Sequence, residues 1–393
     1  MEKSRVEQEL DFIFSESPAQ AADRVANHLT FDLHNGGPLL ALYGAGTLGR
    51  TVLAKLRQVE VEPVVFADDT PEKQGQVIDG LSVMAPQQAV AEYGRDIIFV
   101  VTILNPLLRF LDAQERLQRL TGAHVISFLD LGWKYPDVFL PYYQFELPQN
   151  LLTKAPAIRR AFNLFEDEES RRQFVAHLKF RLYLNYEALP ANSRDDYFPR
   201  HLLPTLPANA VFVDCGAYDG DTLRRFLEHQ RGHFSRIYAF EPDEKNYQKL
   251  QAYVATLKEG VSRRIHLFNA GVGDQRAKLS FNQTGNMSAS FSHTGATQVE
   301  VVPIQEVVET NGGPIYLKFD VEGAEWEALR GAEALIKRTR PLLAISVYHR
   351  PDDLWEIPLY LDSLNLDYHL FLRTQGEDGM DVICYAIPPQ YTT

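Results

Sequence analysis

A strand, a glycine-spaced turn and a helix start follow one another in residues 211–222, VFVDCGAYDGDT, and this pattern constrains the fold most. An apolar run ends at Asp214, and Gly216 and Gly220 bound the turn. A second apolar run ends at Glu241, at about the spacing of 20 residues typical of nucleotide-binding folds. Glycines let the backbone approach a ligand, and a helix start offers unpaired N–H groups. The sequence therefore predicts an α/β sheet with a nucleotide site at the carboxyl ends of its strands.

Carboxylates beside this turn argue against a dinucleotide. A pyrophosphate requires an uncharged turn, whereas Asp214 and Asp219 favour a cationic ligand. S-adenosylmethionine, with a sulfonium and an amino group, is such a ligand. Asp214 is expected to hold its amino group and Glu241 its ribose hydroxyls. The alternative interpretation is that the glycines only permit the turn.

Three further strands are predicted downstream in the expected order. Residues 265–274, IHLFNAGVGD, read as a third strand whose Asn269 and Ala270 are expected at the adenine end of the ligand. Residues 314–332, PIYLKFDVEGAEWEALRGA, and 341–350, PLLAISVYHR, each read as a strand that ends in polar side chains. The carboxyl ends of parallel strands share one edge, so these polar residues are expected to lie together.

These residues, and above all KFDVEGAEWEAL at 318–329, resemble the FkbM family of S-adenosylmethionine-dependent methyltransferases. The resemblance covers about the last half of the chain. It implies a class I methyltransferase fold with a mostly parallel seven-stranded sheet, and methylation of a hydroxyl on a sugar or secondary metabolite. Tyr218 departs from the wider methyltransferase pattern, in which this loop position is often glycine.

Methyl transfer is an in-line displacement that needs positioned reactants and a proton acceptor. His349 is either a base or a hydrogen-bonded surface residue. Mg²⁺ at Asp320, with Glu322 and Asp352, is a weaker alternative, because no tight multi-carboxylate motif supports it, and no metal is assigned. The candidate catalytic residues are Asp320, His349 and Glu322. The predicted cofactor contacts are Asp214, Gly216, Ala217, Tyr218, Gly220, Thr222, Glu241, Asn269, Ala270 and Lys318, the last as a partner of a neighbouring acid.

A second, smaller Rossmann-like domain is predicted over residues 36–131. Gly44, Gly46 and Gly49 match an uncharged G-x-G-x-x-G turn between a strand and a helix, and Asp68 ends the next strand. The segment resembles the amino-terminal sugar-nucleotide-binding domains of some sugar-modifying enzymes. A nucleotide or nucleotide-sugar site and a purely structural domain both stay open.

The remaining organisation is predicted as helices at 1–35, a Pro-rich aromatic connector with helices at 132–207, and the methyltransferase domain at 208–393. Residues 155–189 are expected to be one long helical stretch. Tyr197 and Phe198 are expected either to wall the active site or to pack in the core. Residues 282–295 are a hairpin tip or a substrate loop.

Charge and composition exclude several classes of function. The net charge is −13 over 393 residues, which disfavours nucleic acid as a partner. No apolar run is long enough for a membrane span, and two cysteines without metal-like spacing fit a cytoplasmic protein. The expected partner is a small-molecule or saccharide acceptor, and a homo-oligomer stays open.

The leading interpretation is therefore an O-methyltransferase that acts on a sugar, a nucleotide sugar or a secondary metabolite. A nucleotide-sugar oxidoreductase or epimerase that uses the amino-terminal glycine turn is the alternative enzyme class. It lacks an evident Tyr-x-x-x-Lys pair in that domain. A non-catalytic nucleotide-sugar-binding protein is the third interpretation, and the intact KFDVEGAE element argues against it.

Overall fold

The computed structural model describes residues 3–34, 36–105, 108–192, 197–203, 205–282, 290–291 and 297–391. Backbone contacts divide the chain into two compact units. The first comprises Met1–Pro156, Arg172–Asn192 and Gly376–Met380, and the second comprises Ala157–Arg171, Ser193–Gln375 and Asp381–Thr393. Some residues of the predicted connector thus belong to the first unit and others to the second.

The first unit contains a six-stranded sheet in which β1 and β5 are central. Its strand order is β3-β4-β2-β1-β5-β6, and every neighbouring pair is parallel except β3 and β4. All residues of β1 and β5 are buried, as expected for an apolar strand covered on both faces. The predicted amino-terminal Rossmann-like sheet is confirmed. The strands are β1 (Leu40–Tyr43), β2 (Val65–Ala67), β3 (Val77–Ile78), β4 (Leu81–Met84), β5 (Ile98–Val101) and β6 (His124–Ser127).

The helices of this unit begin at recognisable signals. The first starts at a capping box in which Ser4 and Glu7 each bond the other's backbone. The helices are α1 (Arg5–Ile13), α2 (Pro18–Ala26), α3 (Thr47–Gln58), α4 (Pro86–Tyr93), α5 (Phe110–Thr121), α6 (Phe128–Lys134), α7 (Pro136–Phe139) and α8 (Pro148–Thr153).

Two helices, α9 (Ala155–Leu164) and α10 (Glu168–Tyr183), supply residues to both units. The long helical stretch expected at 155–189 is interrupted between them. Phe165 forms a β-bridge with Leu370, and the Asp167 carboxylate accepts a hydrogen bond from Ser170 N at 2.8 Å. The extended residue and the side-chain cap together end one helix and start the next. A short 3₁₀ turn follows at Tyr186–Ala188.

The second unit contains a seven-stranded sheet with the order β16-β17-β15-β14-β7-β8-β9, in which only β17 runs antiparallel to its neighbours. The predicted class I sheet is confirmed. Its strands are β7 (Val211–Cys215), β8 (Arg236–Phe240), β9 (Ile265–Phe268), β14 (Ile315–Phe319), β15 (Leu342–Ser346), β16 (His369–Thr374) and β17 (Val382–Ile387). A four-stranded sheet consists of β10 (Gly271–Val272), β11 (Ala277–Asn282), β12 (Ser290–Phe291) and β13 (Thr297–Val302).

Aromatic residues fill the core under the seven-stranded sheet. The rings of Phe212 and Phe226 stack with centroids 4.3 Å apart, and Phe198 lies 6.1 Å from each of them. Cys215 and Cys384 are both free and buried, as expected of small apolar side chains. The helices are α11 (Asp221–His229), α12 (Glu244–Ala255), α13 (Glu259–Ser262), α14 (Glu325–Arg330), α15 (Glu333–Thr339) and α16 (Asp353–Ser363).

Two strands end earlier than the sequence predicts. Strand β9 ends at Phe268 rather than at Asp274. Strand β15 ends at Ser346, so His349 lies three residues beyond it in the turn that leads to α16. Of the predicted loop 282–295, residues 283–289 and 292–296 lie outside the described residues. None of the helices in the described part of the chain is long and apolar enough to cross a membrane.

Candidate functional site

A buried ion pair connects two neighbouring strands at the carboxyl edge of the second unit's sheet. In the parallel register of β7 and β14, Lys318 lies opposite Asp214. The Lys318 ammonium is 3.0 Å from Asp214 Oδ1, and it donates to the backbone carbonyl of Gly216 at 2.6 Å. Lys318 and Asp214 are both almost fully buried. The pair therefore fastens the start of the glycine turn to the adjacent strand.

The environment of Asp214 opposes its charge. Burial raises the pKa of this carboxyl to about 6, even though Lys318 lowers it. Asp214 Oδ2 has no hydrogen-bond partner among the described residues. Burial lowers the pKa of Lys318, but Asp214 and Asp320 outweigh burial and hold it above its usual value. Asp214 thus retains an acceptor oxygen that a cationic or N–H donor would satisfy.

Protein atoms pack closely against Gly216 and Gly220, and both residues have backbone angles that favour glycine. Gly216 has φ +84°, and a Cβ there would lie 1.8 Å from the carbonyl oxygen of Asp320. Gly220 has φ +90°, and its Cβ would lie 2.9 Å from the Tyr253 ring. Tyr218 adopts φ +47°, which explains why glycine is common at this position in the wider family pattern.

Glu241 follows β8 and joins that strand to the glycine turn. Its Oε2 accepts a hydrogen bond from Tyr218 N at 2.9 Å, and its Oε1 accepts one from Asp243 N at 2.8 Å. Burial raises the pKa of the Glu241 carboxyl to about 7, although these two bonds lower it. Each oxygen uses one backbone donor, so each has a remaining acceptor position.

The other predicted cofactor residues lie along the same edge with different exposures. Asn269 directly follows β9, is exposed, and donates through its side chain to Glu244. Ala270 is buried beside it. In the glycine turn and the first turn of α11, Ala217 and Thr222 are also buried. The structure thus brings the predicted residues of the first three strand ends to one edge of the sheet.

Beyond β14 and β15 the same edge carries a cluster of carboxylates around one imidazole. His349 Nδ1 lies 2.8 Å from Glu325 Oε1, and its Nε2 lies 3.6 Å from Asp320 Oδ1 and 3.7 Å from Glu322 Oε2. Glu325 Oε1 also accepts from Val321 N at 2.9 Å. The predicted catalytic residues Asp320, Glu322 and His349 are therefore within reach of one another.

The charges in this cluster are strongly coupled. Burial lowers the pKa of His349, but Glu325, Glu322 and Asp320 outweigh burial and raise it to about 10. Burial raises the pKa of Glu322 to about 8, with neighbouring carboxylates adding to the shift. Burial also raises the pKa of Asp320, yet Lys318 and His349 hold it below its usual value. His349 in this environment is an imidazolium, which has no free nitrogen lone pair with which to act as a base.

Sequence reasoning did not assign site roles to Glu325 and Ser346. Ser346 Oγ donates to Asp320 Oδ1 at 3.0 Å and lies 3.2 Å from the hydroxyl of Tyr197. Nothing in the sequence singles out Ser346, which is the last residue of an apolar strand. Glu325 could have been noticed, because it is one of the charged residues of the KFDVEGAE element. Phe198 packs in the core, and Tyr197 packs against that core with its hydroxyl at this edge, so the active-site role of Tyr197 stays a prediction.

In the first unit, the second glycine turn is tightly packed at two of its three glycines. A Cβ on Gly49 would lie 1.9 Å from Gly44 O, and one on Gly44 would lie 2.8 Å from the Ile103 side chain. A Cβ on Gly46 would meet no atom within 4 Å. Gly46 is the N-cap of α3, and no side chain caps that helix. This turn is therefore open at Gly46 and closed at Gly44 and Gly49.

Asp68 follows β2 and binds this same turn. Its Oδ2 accepts from Ala45 N at 2.8 Å and from Lys73 Nζ at 2.9 Å, and its Oδ1 accepts from Thr70 N at 2.9 Å. Burial raises its pKa, but these bonds outweigh burial and lower it to about 2. Asp68 is thus a permanently charged residue that shapes the turn.

Comparisons with known proteins agree with this geometry. Residues 214–376 match the family model of the methyltransferase FkbM domain. The structure is similar to that of methyltransferase FkbM from Methylobacillus flagellatus KT, with 23% identity, a TM-score of 0.75, and coverage of 95% of this chain and 99% of that chain. None of the curated proteins gives a significant match.

Two partial similarities cover one region each. A candidate methyltransferase from Streptococcus mutans in complex with SAH is 15% identical, with a TM-score of 0.31, over 50% of this chain and all 100% of that chain. UDP-D-quinovosamine 4-dehydrogenase from Vibrio fischeri is 21% identical, with a TM-score of 0.20, over 23% of this chain and 76% of that chain. The buried pair, Glu241 and the carboxylate cluster all lie within residues 214–376, so this part of the chain is an FkbM-type methyltransferase domain, which implies an S-adenosylmethionine-dependent methyltransferase.

Proposed function

We propose that this methyltransferase transfers the methyl group of S-adenosylmethionine to a hydroxyl oxygen of a saccharide or a sugar-bearing metabolite. The observation that carries the proposal is the division of one sheet edge into two parts. The ends of β7, β8 and β9 present the cofactor-type groups, and the ends of β14 and β15 present a separate set of polar groups. A two-substrate reaction needs such neighbouring sites.

The cofactor is proposed to lie across the first three strand ends. Glu241, with one acceptor position left on each oxygen, is suited to the ribose hydroxyls. The turn from Gly216 to Gly220 is suited to the methionine part, with the unpartnered Asp214 oxygen accepting from the amino group directly or through water. Asn269 and Ala270 are proposed to flank the adenine. Lys318 is proposed to act through Asp214 and the turn, since its ammonium already binds both.

The acceptor is proposed to lie between the ends of β14 and β15, beside Tyr197. Asp320 is the proposed base, because its lowered pKa keeps the carboxylate ionised at neutral pH. A hydroxyl proton is transferred late in such a displacement, so a weak, well-placed base is sufficient. Glu322 and His349 are proposed to orient the acceptor and to balance charge. Ser346, which donates to Asp320, is proposed to hold that carboxylate in place.

Mass spectrometry of the purified full chain with S-adenosylmethionine and a panel of sugars and nucleotide sugars tests this function. The expected result is a gain of one methyl group on one class of saccharide, which is absent without protein. Asp320→Asn is expected to lower turnover by about 10²–10⁴-fold while cofactor affinity stays nearly constant. Methylation of nitrogen-bearing acceptors alone would contradict the proposal.

A second proposal concerns the first unit, where the turn with Gly44, Gly46 and Gly49 is suited to a phosphate of a nucleotide or nucleotide sugar. It is supported by the uncapped amino terminus of α3 and by the open space at Gly46. Thermal-shift screening is expected to show stabilisation of wild type but not of Gly46→Asp. Equal shifts in both proteins, or none in wild type, would make this domain a structural one.

A further inference from the structure

In the carboxylate cluster at the ends of β14 and β15, direct ion pairing accounts for the 2.8 Å contact between His349 Nδ1 and Glu325 Oε1 but not for the contacts of Nε2. One donor atom from each of Asp320, Glu325 and His349 lies within 4.8 Å of the others. Nε2 of His349 is 3.6 Å from Asp320 and 3.7 Å from Glu322, longer than the roughly 2.8 Å of a direct charged hydrogen bond. Ligand atoms that share an ion at about 2.0–2.2 Å lie about 3.0–3.6 Å apart. The spacing is therefore close to that of a coordination sphere.

A second observation in the cluster is a buried oxygen that lacks a partner. Glu325 is fully buried, and its Oε2 has no hydrogen-bond partner among the described residues. Its other oxygen already accepts from Val321 N and faces His349. An unsatisfied carboxylate oxygen in the interior costs about 1–3 kcal/mol or more, so a site that leaves one is expected to be completed by a ligand.

The local balance of charge favours a cation as that ligand. Asp320, Glu322 and Glu325 surround the one imidazole, and a fourth carboxylate, Asp353, is buried next to them and accepts from Arg350 N at 2.9 Å. The Lys318 ammonium is 3.9 Å from Asp320 but only 3.0 Å from Asp214. The guanidinium of Arg350 points elsewhere, since it donates to Glu327 at 3.2 Å.

We propose that Asp320, Glu325 and His349, with Glu322 at the same edge, bind one divalent cation, which displaces to solvent the proton of the His349 ring nitrogen that binds it. This site replaces the sequence-based set of Asp320, Glu322 and Asp352, and it departs from the expectation that no metal is bound. Two or three carboxylates with one imidazole suit Mn²⁺ better than Mg²⁺, which prefers oxygen ligands alone.

The role of the cation in the reaction rests on the proposed function, whereas its binding does not. A divalent ion at the acceptor edge would lower the pKa of an incoming hydroxyl and neutralise the oxyanion as the proton leaves. The methyl group would still come from the sulfonium, and the proton would pass to the Asp320 oxygen that does not bind the cation, or to solvent.

Isothermal titration of the chelator-stripped full chain with MnCl₂ tests the binding, and MgCl₂ is the comparison ion. Wild type is expected to bind one Mn²⁺ per chain, more tightly than Mg²⁺. Glu325→Gln keeps an oxygen for Val321 N but removes the charge, and Asp320→Asn removes the charge of a more accessible ligand. Both are expected to weaken Mn²⁺ binding by at least about tenfold. Glu327→Gln, two residues along the same helix and on its surface, is the matched control and is expected to bind as wild type does.

The outcomes separate this inference from the proposed function. Titration of the same samples with S-adenosylhomocysteine reports the cofactor site independently. Absence of Mn²⁺ binding by wild type, or equal binding by wild type and both ligand variants, would overturn the cation site even if S-adenosylhomocysteine binds. Circular dichroism establishes that each variant is folded, and if Glu325→Gln is not, Asp320→Asn decides the matter.

Discussion

At the scale of single residues, Glu241 shows how burial and function are connected. It keeps two backbone hydrogen bonds, yet burial raises its pKa to about 7. In the ligand-free protein, burial therefore favours the protonated form of Glu241. Because its pKa is higher in the folded than in the unfolded protein, Glu241 contributes to folding stability at low pH, and this contribution is lost as the pH rises through about 7. A ribose that donates two hydroxyls to the carboxylate favours the ionised form instead.

This linkage predicts the direction of a pH effect on cofactor binding. The affinity for S-adenosylhomocysteine is expected to fall as the pH drops below about 7, by about tenfold for each unit once Glu241 is protonated. Titration calorimetry between about pH 5.5 and 8.5 measures it. Glu241→Gln, which has no titrating group there, is expected to bind weakly and to lose this part of the dependence. A profile that is equally steep in the variant would assign the effect to another group, such as Asp214.

At the scale of elements, β7 and β14 are held together by contacts that also shape the glycine turn. Asp320 N donates to Cys215 O at 3.0 Å, and Gly216 packs against the carbonyl of Asp320. Gly216→Ala is expected to destabilise the second unit by about 3 kcal/mol or more, because a Cβ would overlap that carbonyl and the φ is positive. The control is Gly232→Ala, at φ +75° with no atom within 4 Å of the added Cβ, which is expected to cost about 1 kcal/mol. Chemical denaturation compares the free energies of unfolding of the two variants. Equal losses of stability would show that the Asp320 carbonyl does not restrict the residue at position 216.

The ion pair between the same strands predicts non-additive mutations. Lys318→Met is expected to destabilise the protein by about 3–5 kcal/mol, because it leaves Asp214 charged and buried without a counterion. In the double variant Lys318→Met/Asp214→Asn, much of that loss is expected to return, since no buried charge remains. A double-mutant cycle from urea denaturation measures the coupling. Simple additivity of the two single effects would show that the pair does not interact.

The elements also show which predictions the sequence supports. Apolar runs bounded by polar residues predicted β7, β8, β9, β14 and β15, because such runs are typical of buried parallel strands. The break between α9 and α10 was missed, since Phe165 forms its β-bridge with Leu370 and the Asp167 carboxylate is also bound by Arg373 at 2.6 Å, both more than 200 positions further along the chain. The clustering of Glu325 and Ser346 with Asp320 likewise depends on the packing of three separate elements. The raised pKa of His349 could not be predicted for the same reason, because three carboxylates approach it only in the fold.

At the scale of the whole molecule, both units contain a mostly parallel sheet, but the polar residues at the carboxyl ends of the strands differ between the two sheets. The first unit's turn is uncharged and its acid, Asp68, is fully engaged by donors. The second unit's turn carries Asp214 with an unpartnered oxygen and Glu241 with remaining acceptor positions. This contrast supports the assignment of the cationic cofactor to the second unit.

The most direct test of that assignment is titration calorimetry of the full chain with S-adenosylhomocysteine. Wild type is expected to bind one equivalent, and Glu241→Ala is expected to bind about tenfold or more weakly, since a charge-assisted contact contributes about 1.5–3 kcal/mol. Glu259→Ala, an exposed acid on α13, is the control and is expected to bind as wild type does. Unchanged affinity in Glu241→Ala would remove the ribose role, and no binding by wild type would contradict the cofactor site as a whole.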